Sequence, residues 1–252
     1  MQGLSLSAAL RSALHVLATS WRRAWGALAP AAILAGIAHL LRGEPLDWLV
    51  GVGAVLWAAQ AQAACYRVGL DMAVPALAGS RVTRDVPRLI VAGVLELILL
   101  AIITALMLTV VGGVAFGVAS TGKGFLAAEP ATWLPAMGPT GRTISGAVAL
   151  VGLAGVIWLR LRLSFTAAAT VERQKVQVLS AWPLTRGRVL ATLAALIVAA
   201  APTIAVGWGL RATGLAGTPE GIFALALAAI GVSLPLQAGL MTYLYGQSTT
   251  SA

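Results

Sequence analysis

Long apolar runs alternate with short basic segments along this chain of 252 residues. The runs are apolar on every side, as helices surrounded by hydrocarbon are, and each approaches or exceeds the ~20 residues that a spanning helix needs. Six spans are predicted, at about 24–41, 47–74, 86–118, 142–163, 187–211 and 219–245. Residues 1–23 differ. Leu6, Leu10, Leu14, Leu17 and Trp21 recur at spacings of three and four, with Ser7, Arg11, His15, Thr19 and Arg22 on the other side. That is an amphipathic helix suited to a membrane–water interface, which can also pack on its own bundle. Arg11 interrupts its apolar part, so no cleaved leader is expected. Residues 247–252 form a polar tail.

Several spans carry polar groups. Gln60, Arg67 and Asp71 are spaced seven and four and fall on one face of the second span, and Arg67 and Asp71 form a candidate i,i+4 pair. Glu96 lies eight residues, ~12 Å of helix rise, beyond Arg88. A carboxyl group at that depth costs ~2.5–3.5 kcal/mol or more unless partnered. Glu96 is therefore expected to face the bundle interior and to contact Arg67 or the Gln60 face. Two roles stay open for this polar seam, a relay for protons or substrate and a structural charge pair. Gly113 and Gly117 give a spacing that permits close helix approach, as do Ala32 and Gly36. Pro30, Pro202 and Pro235 interrupt their spans, and Tyr243 and Tyr245 are placed in an interfacial aromatic belt.

The loops carry the charge. Residues 120–140 are expected to hold a short interfacial helix with Trp133 and Met137. The run GVASTGKG at 117–124 falls one residue short of a phosphate loop, has Gly124 where a Ser or Thr would bind magnesium, and follows a helix rather than a strand; it reads as a turn. After the fourth span, Arg160 and Arg162 are expected to reach towards headgroups. A surface helix over 166–182 is predicted, with Val176, Leu179 and Trp182 on one side. Thr185 is the candidate N-cap of the fifth span.

Composition sharpens this picture. The chain is 59% hydrophobic and 10% charged, too little charge to cover a water-exposed globule. Its net charge of +9 belongs to loops beside apolar runs, which points to membrane topology rather than nucleic acid. Thirteen of the seventeen basic residues fall on one side of the predicted threading, including Arg81, Arg84, Arg173, Lys175 and Arg186. That side is the cytoplasm, with both termini on it. Arg42, Lys123, Arg142 and Arg211 fall outside. Spans one, three and five each follow a basic lead-in, which suggests three helical hairpins. The single cysteine, Cys65, allows no intrachain disulfide and reads as a small packing residue. The predominance of Arg over Lys, with abundant Ala and Gly, suggests a bacterial source.

Between residues 158 and 193 the chain carries Arg160, Arg162, Ala168, Glu172 and the run Trp182-Pro183-Leu184-Thr185-Arg186-Gly187-Arg188. This stretch resembles the membrane-domain family named after bacterial glycerophosphoryl diester phosphodiesterases, with Ala181 at the family's Ser position and Pro183 after the Trp. The resemblance implies a six-span membrane fold and a membrane address, without the separate catalytic barrel. The residues themselves suggest an interfacial motif, in which Trp182 anchors, Thr185 caps, and Arg186 and Arg188 meet anionic headgroups.

The expected fold is all-α, an interfacial helix followed by six spans of a bacterial inner-membrane protein. Its two histidines, His15 and His39, are predicted on opposite membrane sides, and no catalytic constellation or cofactor motif is found. A non-enzymatic scaffold or accessory subunit is the expected function, with anionic lipids and other membrane subunits or a second copy as partners. Transport along the Glu96–Arg67 seam is the alternative.

Overall fold

A computed structural model describes residues 6–74, 82–122, 126–127 and 129–249. Among them every regular element is helical. In order these are α1 (Leu6–Arg23), α2 (Trp25–Leu40), α3 (Asp47–Gly69), α4 (Asp85–Ala119), α5 (Trp133–Ala136), α6 (Pro139–Arg162), α7 (Thr166–Arg173), α8 (Val189–Ala212), α9 (Pro219–Ala226), a π-helical segment Leu227–Ser233, and α10 (Leu234–Thr249). Five helical stretches are long and apolar enough to cross a membrane, or six if α1 and α2 together count as one bent span. The α1–α2 bend is 91°.

The chain divides into two compact units, Met1–Gly93 with Leu163–Ala252, and Val94–Arg162. In the larger unit, Leu28, Tyr66, Phe165, Val171, Met241 and Tyr245 are fully buried. Phe165 and Tyr245 meet edge to face, with ring centroids 6.1 Å apart.

The stripe that buries α1 is not the leucine stripe. Ala9, Ala13, Val16 and Ser20 are buried, whereas Leu14 is exposed. The partner, α10, comes too close for larger side chains: a Cβ on Gly239 would lie 2.6 Å from the Ala13 Cα. Small residues line the contact because two backbones nearly touch there, and Leu14 is left on the outer face. Ala32 and Gly36 are both buried, and Gly36 makes room for a side chain rather than a backbone. A Cβ on Gly36 would meet the Phe223 ring at 2.5 Å.

The second span stops earlier than residue 74. Asp71 has φ 55°, the Asp71 N–H donates to Val68 O, and the Met72 N–H donates to Arg67 O. These bonds form a Schellman stop, in which the left-handed residue usually is glycine and here is Asp71. Asp71 therefore lies beyond the helix, and its expected i,i+4 pairing with Arg67 does not form. The end of α8 repeats the device with Gly214 at φ 73°, where the Leu215 N–H reaches back to Leu210 O.

The surface helix expected over 166–182 also stops early. It ends at Arg173 with Gln174 left-handed, φ 52°, and short 3₁₀ turns follow at Leu179–Ala181 and Pro183–Thr185. Val176, Leu179 and Trp182 therefore share no helical face. Pro30 and Pro202 are accommodated inside α2 and α8. Pro235 sits in the first turn of α10, directly after the π segment.

In the smaller unit, the expected short helix after the third span is α5. Phe116 and Trp133 pack edge to face at 5.4 Å, and Arg142 Nε donates to Leu134 O and Met137 O. Close approach to α4 uses glycines of α6. A Cβ on Gly141 would lie 2.3 Å from Val118, and Gly152 faces Met107. Gly113 and Gly117 are exposed, and a Cβ on either would meet nothing within 4 Å among the described residues. Arg81, Lys123 and Gly124, with the end of the GVASTGKG run, lie outside the described residues.

Candidate functional site

Three polar clusters take up the residues singled out from the sequence. The first closes the α3–α4 connection. Asp85, the first residue of α4, is buried and accepts from two guanidinium groups. Arg67 Nε lies 2.7 Å from Oδ2 and Arg88 Nη1 3.3 Å from Oδ1. Arg67 also donates to Ala73 O at 2.8 Å. Gln60 is buried, and its Oε1 accepts the Thr83 N–H at 3.2 Å. A carboxylate at a helix N-terminus gains from the dipole, and each of its oxygens accepts from one arginine. The group is thus a staple between the end of one span and the start of the next. Asp85 escaped the sequence reading, although an acidic residue opening an apolar run, with Arg at i+3, is a helix-start signal.

The second cluster lies in the Val94–Arg162 unit. Glu96 is paired with Arg160 Nη1, not with Arg67 or the Gln60 face. The Arg67 guanidinium is committed to Asp85, and the arginine at the end of α6 reaches Glu96 instead. The predicted seam of Gln60, Arg67, Asp71 and Glu96 is therefore divided. Gln60 and Arg67 serve the α3–α4 connection, Asp71 is an exposed helix stop, and Glu96 has its own partner. Arg162, two residues on, stacks over the Trp158 ring at 5.1 Å, a cation–π contact.

The third cluster comprises α7, the 3₁₀ turns and the end of α10. The Tyr245 hydroxyl donates to Glu172, and Tyr245 is buried, so it is a core residue rather than part of an aromatic belt. Thr185 is buried and caps no helix. Its hydroxyl donates to Trp182 O at 2.9 Å, and the residue that precedes α8 is Arg188. Arg188 donates to Leu244 O at 3.1 Å and to Gln247 O at 2.7 Å. These are carbonyls of the last turns of α10, where a cation also meets the negative end of the helix dipole. The guanidinium expected at headgroups instead ties the start of α8 to the end of α10. Arg186 is exposed.

A further contact joins α1 to the π segment. Trp21 Nε1 donates to Gly231 O at 2.7 Å. Pro235 has no N–H, so it cannot supply the i→i−4 bond that Gly231 O would accept in an α-helix. The indole supplies a donor to that carbonyl. Gly231 is the residue that leaves room for it, since a Cβ there would lie 2.8 Å from the Trp21 ring. Cys65 is buried in the same core.

Taken together, the described residues form an all-helical fold with several membrane-length apolar helices, in which Asp85 and Glu96 are held by arginines. Compared with family profiles, curated proteins and solved structures, the chain gives no match.

Proposed function

We propose that this protein is a non-enzymatic, multi-pass protein of a bacterial inner membrane, acting as a scaffold or accessory subunit of a membrane complex or in lipid organisation. The observation that supports this reading is the outer surface of the Val94–Arg162 hairpin. Leu97, Leu108, Leu150 and Val151 are exposed there, the one carboxylate of its α4 portion is neutralised by Arg160, and Gly113 and Gly117 open away from the chain's own helices. An apolar helix face with small residues at four-residue spacing suits the backbone of another transmembrane helix, from a second copy or another subunit.

The proposal is tested by gentle purification in native lipid. A stoichiometric partner or a homo-oligomer is expected, lost when Gly113 and Gly117 are both exchanged for Leu with helical content unchanged. A monomer in lipid, or an assembly indifferent to the exchange, overturns it. The alternative of transport, expected from the sequence around Glu96 and Arg67, is left with Glu96 and draws on the Glu96–Arg160 pair. It requires Glu96→Gln to abolish uptake in vesicles while the fold survives.

A further inference from the structure

We infer that the end of the larger unit where α2 and α8 finish carries a binding site for an anionic membrane lipid. A cleft of about 370 Å³ opens there, lined among others by His39, Ile204, Trp208, Arg211, Ile222 and Leu225. Its geometry separates two chemistries along one axis. His39 is in the last turn of α2 and Arg211 in the last turn of α8, so the guanidinium and the imidazole both sit at helix ends, the depth of headgroups in a spanning bundle. Ile204 lies seven residues before Arg211, ~10 Å deeper along α8. The cleft thus has one cation and an imidazole donor at helix-end depth and apolar walls extending along the helices, the pattern of a headgroup with its acyl chain.

Neither the Arg211 nor the His39 side chain has an ion pair or hydrogen bond among the described residues, in contrast to Arg67, Arg88, Arg160 and Arg188. The nearest acidic residue in sequence, Glu220 in the first turn of α9, is not among those lining the cleft. Trp208, largely exposed and one turn before Arg211, is the aromatic residue expected at the interface. The floor is fixed rather than loose. Thr218 caps α9 by accepting the Gly221 N–H at 3.2 Å, and a Cβ on Gly221 would lie 2.2 Å from Leu215 O. An occupant therefore meets a preformed cleft. Charge complementarity selects a phospholipid with a net negative headgroup over a zwitterionic one. This inference rests on membrane embedding alone and stands apart from the scaffold proposal, because the cleft is no part of the Val94–Arg162 hairpin.

The test is native mass spectrometry of the full chain, titrated in detergent with phosphatidylglycerol or with phosphatidylcholine of the same acyl chains. Phosphatidylglycerol is expected to be retained preferentially, and each of Arg211→Gln and His39→Gln to weaken it, the arginine by about fivefold. Gly207→Leu, which adds bulk beside Leu225, is expected to weaken both lipids, and circular dichroism checks that all variants keep their helices. Equal retention of the two lipids, or indifference to both charge variants, overturns the inference. So does displacement of the lipid by millimolar inorganic phosphate alone, which would mark a free-anion site, or self-association that closes the cleft.

Discussion

At the scale of single residues, the charges of this chain are mostly staples. Asp85 is the clearest case, since two arginines converge on one buried carboxylate. Exchanging Asp85 for Ala leaves Arg67 without its counter-ion. A loss of ~3–5 kcal/mol is expected, seen as a large drop in thermal midpoint in detergent, and an unchanged midpoint would show the cluster to be dispensable. Asp71 makes the converse prediction. Its left-handed backbone costs a β-branched residue ~1–2 kcal/mol, so Asp71→Val should destabilise while Asp71→Gly is neutral or stabilising. Had Asp71 belonged to a functional seam, both exchanges would abolish activity alike. The need of Glu96 for a partner was legible in the sequence, because the cost of a lone carboxylate in hydrocarbon is large. The partner's identity was not. Arg67 and Arg160 both lie near span ends, and only the prior claim of Asp85 on Arg67 separates them.

At the scale of elements, the spans were legible from apolar length, and their ends were less so. Stops set by a left-handed residue other than glycine, at Asp71 and Gln174, carry a weak composition signal, whereas Gly214 at the end of α8 is the ordinary one. The packing face of α1 was not legible from its strongest periodicity. Leucine periodicity finds the most hydrophobic stripe, but in a membrane protein that stripe suits lipid, and close helix contact selects Ala9, Ala13 and Ser20. The lock between α1 and the π segment follows from the same closeness and yields a graded prediction. Trp21→Phe keeps the ring and removes the donor to Gly231 O, at a cost of ~1–3 kcal/mol. Gly231→Ala forces the ring away and should cost at least as much. Restoring an N–H with Pro235→Ala should recover part of the Trp21→Phe loss, since the freed carbonyl regains a local partner. Additive losses in the double variant, read from thermal melts, would show that Pro235 is not what makes the indole necessary.

At the scale of the whole molecule, the arrangement within the larger unit bears on threading. Arg188 precedes α8 and binds the last carbonyls of α10, so the segment Leu163–Arg188 and the chain's end belong to one end of that unit. The basic residues Arg173, Lys175 and Arg186 belong to the same stretch. The bias of positive charge towards the cytoplasm applies to such short loops, and on that ground we propose that this end faces the cytoplasm. In that proposal the 91° bend at Ala24 lets α1 lie along the membrane surface while α2 enters it, and the two termini share one side. Cysteines introduced at Gln2, Ser180 and Ser251 in a Cys65→Ser background should all be shielded from a membrane-impermeant thiol reagent in intact cells. One introduced at Glu44, in the turn between α2 and α3, should be labelled. Labelling of Ser251 without Ser180 would contradict the joint placement that Arg188 imposes. Labelling of Gln2 alone would mean that α1 and α2 cross the bilayer together as one bent span, leaving the rest of the threading intact.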